Sequence, residues 1–253
     1  MTVSTCWLRS LGIATAALVG LGTWAVSALS ALALTEERVL EILAPVPVFT
    51  ITNSDGNPLV IPVETSQGVR EVTAVFISPQ AAEASAEQIR NSAERGPVQV
   101  TAASLAELYE LDYAQEGQPN DIDFYYVPTD EDLAQAQTLL GSEQTLQGAP
   151  LFAVLIEVRD GDEVRRSYLT ASEGETQRVP FFFEYETAQA VANDFEQTNA
   201  DLNATTEIQV LSLDGLITTL RSQTSQTSEN SQFFESIILV PSVESSEYLQ
   251  QQL

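Results

Sequence analysis

The sequence predicts an α+β protein made of two pseudo-symmetric lobes, each a small mixed β-sheet with helices packed on it. Three observations predict it. Four segments recur in one order along the chain, at offsets that rise slowly from 103 to 113 residues. Within each copy, strand patterns alternate with amphipathic helical ones, the mark of an α+β layer structure. Hydrophobic residues make up 44% of the 253 residues, enough for a packed core in each copy.

The recurring pairs are read directly from the chain. Val46-Pro47-Val48-Phe49 with Asp55-Gly56 parallels Ala149-Pro150-Leu151-Phe152 with Asp160-Gly161. The stretch Val72–Ser78 parallels Arg178–Glu184, Val98-Gln99-Val100 parallels Ile208-Gln209-Val210, and Tyr125–Pro128 parallels Ile238–Pro241. One such match is chance, whereas four in order describe a duplication with small loop insertions in the second copy. The lobes are expected over 38–140 and 149–252, joined at Gly141–Gly148.

Each copy opens with an expected hairpin, 46–52 with 59–63 around Ser54-Asp55-Gly56-Asn57, and 151–158 with 164–170 around Asp160-Gly161-Asp162. A third strand follows at Val72–Ile77 or Val179–Phe183. The run Phe181-Phe182-Phe183 does not alternate with polar residues, so that strand is expected to be buried on both faces. Ser78-Pro79 reads as an N-cap with proline at the first helical position, opening a helix to about Arg95. Its counterpart, about 185–197, places Ala188, Val191, Ala192 and Phe195 on one face. Fourth strands at 98–103 and 207–212 lead to short helices capped by Ser104 or Asp214. Fifth strands at 123–127 and 236–240 end at proline and lead to helices capped by Thr129 or Ser242, the first with Leu133, Ala136 and Leu140 at helical spacing. Gln115–Asn120 and Ser222–Gln232 read as polar loops.

The N-terminus is separate. Residues 1–10 carry only Arg9, an apolar run extends from Leu11 to Ala33, and Thr35-Glu36-Glu37 follows. Ala31 and Ala33 supply the small-x-small pattern of an export-signal cleavage site, so residues 1–33 are expected to be a removable signal peptide. The alternative is an uncleaved anchor, because about 20 apolar residues span a bilayer. Removal would take with it the only Cys, the only Met and both Trp. The remaining chain would then fold without disulfides, a profile of the periplasm or a lumen.

Composition excludes much chemistry. The chain has no His, and its ten basic residues are all Arg against 36 acids, a formal charge of −26. Such an acidic surface repels nucleic acid and anionic lipid. With no imidazole or amine and no Cys beyond the leader, most catalytic nucleophiles, bases and zinc sites are missing. Carboxylate pairs remain. Asp121-Ile122-Asp123 reads as a strand entry, Asp160-Gly161-Asp162 as a turn and Asp130-Glu131-Asp132 as a first helical turn. No calcium-loop, P-loop or dinucleotide pattern occurs. The expectation is a non-enzyme with no cofactor and no metal; a carboxylate enzyme would need two facing acids, one with a raised pKa.

The segments PVPVFTITNSDGNPLV (45–60), VFIS (75–78), PFFFE (180–184) and IILVPS (237–242), behind a signal-like leader, resemble the Tic22-like family over about residues 38–252. The resemblance implies an intermembrane-space protein of plastids or, in cyanobacteria, a periplasmic one. The bacterial character of the leader favours the cyanobacterial branch, with the thylakoid lumen as an alternative compartment. The resemblance further implies an ATP-independent, chaperone-like role. Such a protein escorts precursors between membranes, for outer-membrane biogenesis alongside the barrel-assembly machinery or for protein import. The expected partners are unfolded or precursor outer-membrane proteins and that machinery, with no nucleic acid and no membrane insertion after cleavage. A non-catalytic adaptor subunit that binds one folded partner is the alternative.

A chaperone of this kind needs exposed apolar grooves. The candidate contacts are Phe49, Phe76, Tyr125 and Tyr126 in the first copy and Phe181, Phe182, Phe183 and Tyr185 in the second, each of which also reads as core. Phe233 and Phe234, at the end of a polar loop, are required by neither a strand nor a helix face and are the foremost candidates.

Overall fold

The computed structural model describes residues 34–252 apart from 66–67, 93–95, 116–121, 143, 147, 161–162, 175, 201–203 and 225–230. Ala31 and Ala33 lie outside the described residues, as do Asp121, Gly161 and Asp162. The first repeat runs α1 (Glu36–Leu43), β1 (Pro47–Asn53), β2 (Val60–Thr65), β3 (Gly68–Phe76), α2 (Pro79–Asn91), β4 (Val98–Ser104), α3 (Leu105–Gln115), β5 (Ile122–Val127) and α4 (Asp130–Leu140). The second runs β6 (Pro150–Asp160), β7 (Glu163–Tyr168), β8 (Ala171–Glu173), β9 (Thr176–Phe182), α5 (Tyr185–Thr198), β10 (Ala204–Ser212), α6 (Leu213–Thr224), α7 (Ser231–Ser236), β11 (Ile237–Val240) and α8 (Val243–Gln252).

The duplication extends to the hydrogen-bond register. One sheet is ordered β4-β1-β3-β5 and the other β10-β6-β9-β11. In both, the last pair is parallel and the others antiparallel. Phe49 faces Phe76 across β1–β3 as Phe152 faces Phe182 across β6–β9. This is the mixed-sheet, two-lobed α+β fold that the sequence predicts. One spacing is corrected. Pro47 pairs with Ser104 and Pro150 with Ser212, which makes Val210 the counterpart of Ala102 and Ile208 that of Val100, not of Val98.

The first expected hairpin is also corrected. The β1 and β2 segments meet only at one bridge, Thr52 to Pro58, and β2 pairs instead with β3 through six residues. The bonds Asn53 N to Asn57 O and Leu59 N to Ile51 O flank that bridge, and beyond it β3 holds this edge of β1 through Thr50–Val75 and Phe49–Phe76. Asn53 closes the turn, its Oδ1 accepting from the N–H groups of Asp55 and Asn57 (3.0 Å each), with Gly56 at φ 83°. In the second repeat the hairpin forms as expected: β6 and β7 pair from Leu155–Tyr168 to Asp160–Glu163. There the additional strand β8 takes the place beside β9 that β2 holds beside β3.

Strand alternation divides the core into layers. Val48, Val75, Leu151, Ala153, Phe181 and Phe183 point inward, into one central cluster completed by Leu34, α1, α3 and α6. Their neighbours point outward: Phe49, Ile51 and Phe76 meet α2, while Phe152, Val154 and Phe182 meet α5. The run 181–183 is therefore buried on both faces, with exposures of 1, 3 and 2%.

Local sequence explains the helix starts. Ser78 Oγ accepts from Ala81 N (3.1 Å) with Pro79 opening α2, and Thr129 Oγ1 accepts from Asp132 N (3.1 Å) at α4. At α3, Ser104 and Glu107 form a reciprocal capping box. The cap of α6 is Ser212, whose Oγ accepts from Gly215 N (2.9 Å), and not Asp214, which lies in the first turn. The α2 helix ends at Asn91, short of Arg95.

The terminal helices of the repeats are exchanged. The α4 helix, which closes the first repeat, lies on the outer face of the second sheet, where Ala136 joins the Phe152–Phe182 cluster. Its Asp132 carboxylate accepts from Tyr185 N at the start of α5 (2.9 Å). Reciprocally, α8 lies on the outer face of the first sheet, with Tyr248 edge-on to Phe49 at 5.0 Å. Glu244 of α8 accepts from Gln80 N at 3.0 Å and from the Ser78 hydroxyl at 3.1 Å. Each outer layer thus contains a helix from the other repeat.

Candidate functional site

The outer face of the first sheet carries an open apolar groove. Alternation places Ala74 and Phe76 of β3, Ile51 of β1 and Ile61 of β2 on this face, because cross-strand partners share a side. Leu59 precedes β2, and α2 supplies the facing wall with Ser85, Gln88 and Ile89 and its C-cap Ser92. Together these residues enclose about 370 Å³. Beside the groove, Tyr125 of β5 stands opposite Ala74 and is 55% exposed. Ile61 is 50% exposed and Val63, two residues along β2, is 41% exposed. Further along, Asp123 is held in an ion pair with Arg70 at 2.6 Å, so it is not one of two free facing acids.

The pseudo-symmetry explains why the groove is open. Ala82 and Ala86 of α2 correspond to Ala188 and Ala192 of α5, and all four are buried against their sheets. In the same register Ser85 corresponds to Val191 and Ile89 to Phe195. Val191 packs on the second outer cluster at the position where Ser85 lines the groove in the first. Leu146 and Leu169 also pack against the second outer cluster.

The structure sorts the sequence candidates. Phe76 lines the groove and Tyr125 flanks it. Phe49, Phe181, Phe182 and Phe183 are at most 3% exposed and Tyr126 is 7% exposed, so all five are core and present no surface to a client in this conformation. Burial, with Asp214 and Asp112 nearby, pushes the Tyr126 hydroxyl well above its ordinary pKa. Tyr185 is half-buried, edge-on to Phe152 at 5.7 Å, with its hydroxyl donating to Gln189.

Phe233 and Phe234 are not at a loop end but on α7, half-buried against the central cluster. Phe233 packs on Tyr168 at 5.3 Å and on Phe234 at 5.5 Å. The end of α7 is tied down by two guanidinium groups: Arg38 Nη2 donates to Glu235 O (2.9 Å) and Ile237 O (3.2 Å), and Arg178 Nη1 to Glu235 O (3.0 Å). These arginines line a second, polar depression of about 360 Å³ with Thr35, Glu37, Glu41 and Glu235.

Ile61, Leu59 and Ile89 carry no distinguishing signal in the sequence, since each fits an ordinary strand or helix pattern. A signal was present in Ser85, a small polar residue where the duplicated helix carries Val191.

Between the repeats, Arg221 of α6 pairs with Asp112 of α3 and lies over the rings of Tyr109 (5.2 Å) and Tyr113 (5.7 Å). Two carboxyls are raised above the ordinary range, chiefly by burial: Asp214, whose Oδ2 has no hydrogen-bond partner, and Glu184, which accepts from Val243 N and Thr187 Oγ1. Among the described residues, no group of three or more acidic side chains could hold a metal ion. Among them, no helix is long and apolar enough to cross a membrane.

An internally duplicated α+β protein with an apolar groove on one outer face is thereby defined. The model of the Tic22-like family matches residues 10–251, and the chain belongs to that family. Its fold is that of Anabaena Tic22, a protein-transport structure, at 28% identity and a TM-score of 0.67, covering 86% of this chain and 97% of that one. Tic22 from Plasmodium falciparum shares the fold at 20% identity and a TM-score of 0.61, covering 85% of this chain and 96% of the other. A comparison with curated proteins gives no match.

Proposed function

We propose that this protein is an exported, ATP-independent chaperone-like factor of protein transport. It holds extended apolar segments of precursor proteins in the groove of the first repeat and escorts them across the space between membranes. The observation that carries this reading is the groove itself: an unfilled apolar channel between β2–β3 and α2, with Ile61 and Tyr125 half exposed at its rim. A strand-like segment buries alternate side chains in such a channel while its polar side faces water. The charge of −26 keeps the loaded complex dispersed and repels other acidic proteins. Membership of the Tic22-like family and the protein-transport role of Anabaena Tic22 support the assignment. The small-x-small site at Ala31 and Ala33 supports export, in a bacterium to the periplasm. Binding and release require no catalytic group, so the reading is of a non-enzyme.

The test dilutes an unfolded outer-membrane barrel protein from urea into increasing amounts of this protein and follows light scattering. Suppression at near-stoichiometric ratios is expected, and an Ile61→Ser, Tyr125→Ser variant with unchanged circular dichroism is expected to lose it. No suppression at large excess would refute the reading in favour of an adaptor for a folded partner. Suppression untouched by the variant would move the site elsewhere.

A further inference from the structure

We propose that α8 is a displaceable cover on the groove's floor, released when an extended apolar segment binds. This rests on the chain-binding reading above and adds its regulation.

The floor is continuous beneath the cover. Phe76 lines the open groove, and its direct cross-strand neighbour is Phe49, on the same face of the sheet. Phe49 is 0% exposed, clustered with Ala82 and Ala86 of α2 and covered beside them by the Tyr248 ring, which stands edge-on against it. The apolar surface offered to a client is therefore cut short at the point where α8 begins to cover it. Displacing α8 extends the floor from Phe76 to Phe49 without moving either sheet, since α8 is joined to β11 only through Pro241 and Ser242.

The two exchanged helices are seated by different means, α4 burying Ala136 and exposing Leu139, α8 burying Ser245 and exposing Leu249. Ala136 of α4 is 0% exposed in the second outer cluster. The corresponding position of α8, Leu249, is 38% exposed, and Val243 is 52% exposed. Tyr248 is the one α8 side chain packed into the first outer cluster. The rest of the docking is polar: Glu244 on Ser78 and Gln80, and Ser245 Oγ donating to Ile77 O at 2.6 Å. On release, water replaces those partners and the bond from Val243 N to Glu184, and the aromatic contact with Phe49 is given up. A client side chain on Phe49 restores that contact, so cover and client compete for one surface. A site closed by a displaceable element binds with its intrinsic affinity reduced by the fraction of molecules that are open.

The test uses the full-length chain and a synthetic peptide of alternating Val and Thr as an extended apolar segment. Hydrogen exchange is followed in α8 and, as the internal reference, in α4. Saturating peptide is expected to speed exchange of the α8 amides by about tenfold while α4 is unchanged, the response of one locally released element. Tyr248→Ala is expected to tighten peptide binding by about tenfold, and Glu244→Gln, which weakens the docking without touching the floor, by a smaller factor. Peptide binding with α8 protection unchanged or increased, or equal affinity in all three proteins, overturns the cover and leaves the groove reading standing. Failure of both the natural protein and Tyr248→Ala to bind the peptide overturns the groove reading and the cover with it.

Discussion

Transplanting the second repeat's residues into the first, as Ser85→Val with Ile89→Phe, is expected to close the groove while making the protein more stable. The two positions face each other one helical turn apart on α2 and correspond to Val191 and Phe195 of α5. Both are half-buried, so the added apolar atoms enter existing space without displacing packed neighbours. Replacing the Ser hydroxyl by two methyl groups, with the larger ring at 89, adds a few carbons. At about 0.8 kcal/mol for each fully buried carbon, discounted by about half for partial burial, the gain is about 2 kcal/mol. Ser, Val, Ile and Phe have similar helix propensities, so the helix itself contributes little to the difference. In a chain of this size about 2 kcal/mol raises Tm by about 4–8 °C, readable by differential scanning calorimetry. The same protein is expected to lose suppression of client aggregation. The two readouts thus move in opposite directions, which a general weakening of the fold cannot mimic. A fall in Tm would show that α2 already packs tightly on β2 and β3. Retained suppression beside a raised Tm would refute the groove as the client site.

Other outcomes follow from the same structure. Gly56 and Gly148 both have positive φ, 83° and 77°, but a Cβ meets nothing within 4 Å at Gly56 and runs into Asp214 Oδ2 at Gly148. By urea titration Gly56→Ala is expected to cost about 1 kcal/mol and Gly148→Ala about 2 kcal/mol more, from left-handed strain and from strain plus displacement of the carboxylate. Burial raises the Asp214 pKa, so its contribution is fully present below the ordinary carboxylate value and is lost as pH rises through the raised one. Asp214→Asn is therefore expected to raise the urea midpoint at pH 7 and to leave it unchanged at pH 3; equal shifts at both would refute the assignment. Phe181→Ala is expected to cost about 3–5 kcal/mol, whereas Tyr125→Ser, at an exposed position, changes stability by less than about 0.5 kcal/mol. Similar losses for both would show that Tyr125 is not the surface residue described.

Much of the architecture was legible in the sequence because local rules write it. Ser78-Pro79 and Thr129 announce helices through side chains that satisfy their own first-turn N–H groups. The unbroken run Phe181-Phe182-Phe183 announces a strand covered on both sides, as found. Repeated order revealed the duplication without any knowledge of contacts. Failures came where the determinant was distant. The edge of β1 beyond Thr52 is taken by β3, which β2 then joins, and nothing near the turn in the sequence announces it. Phe233 and Phe234 looked unemployed because α7 has too few residues to show a period and its seat, formed with Tyr168, Arg38 and Arg178, lies far away in the chain.

The sequence by itself determined which residues alternate, which start and stop helices, and that one unit occurs twice. Those properties depend on neighbours a few positions apart, where periodicity and capping act. Only the tertiary structure decided that α4 and α8 cross to the opposite sheet, that Phe49 is covered by Tyr248 beside α2, and that Ser85 lines a groove where Val191 packs on a cluster. An apolar side chain specifies that it will be buried but not against what. The choice of partner is made by shape and by hydrogen bonds such as Asp132 to Tyr185 and Glu244 to Gln80, which span 53 and 164 residues of chain.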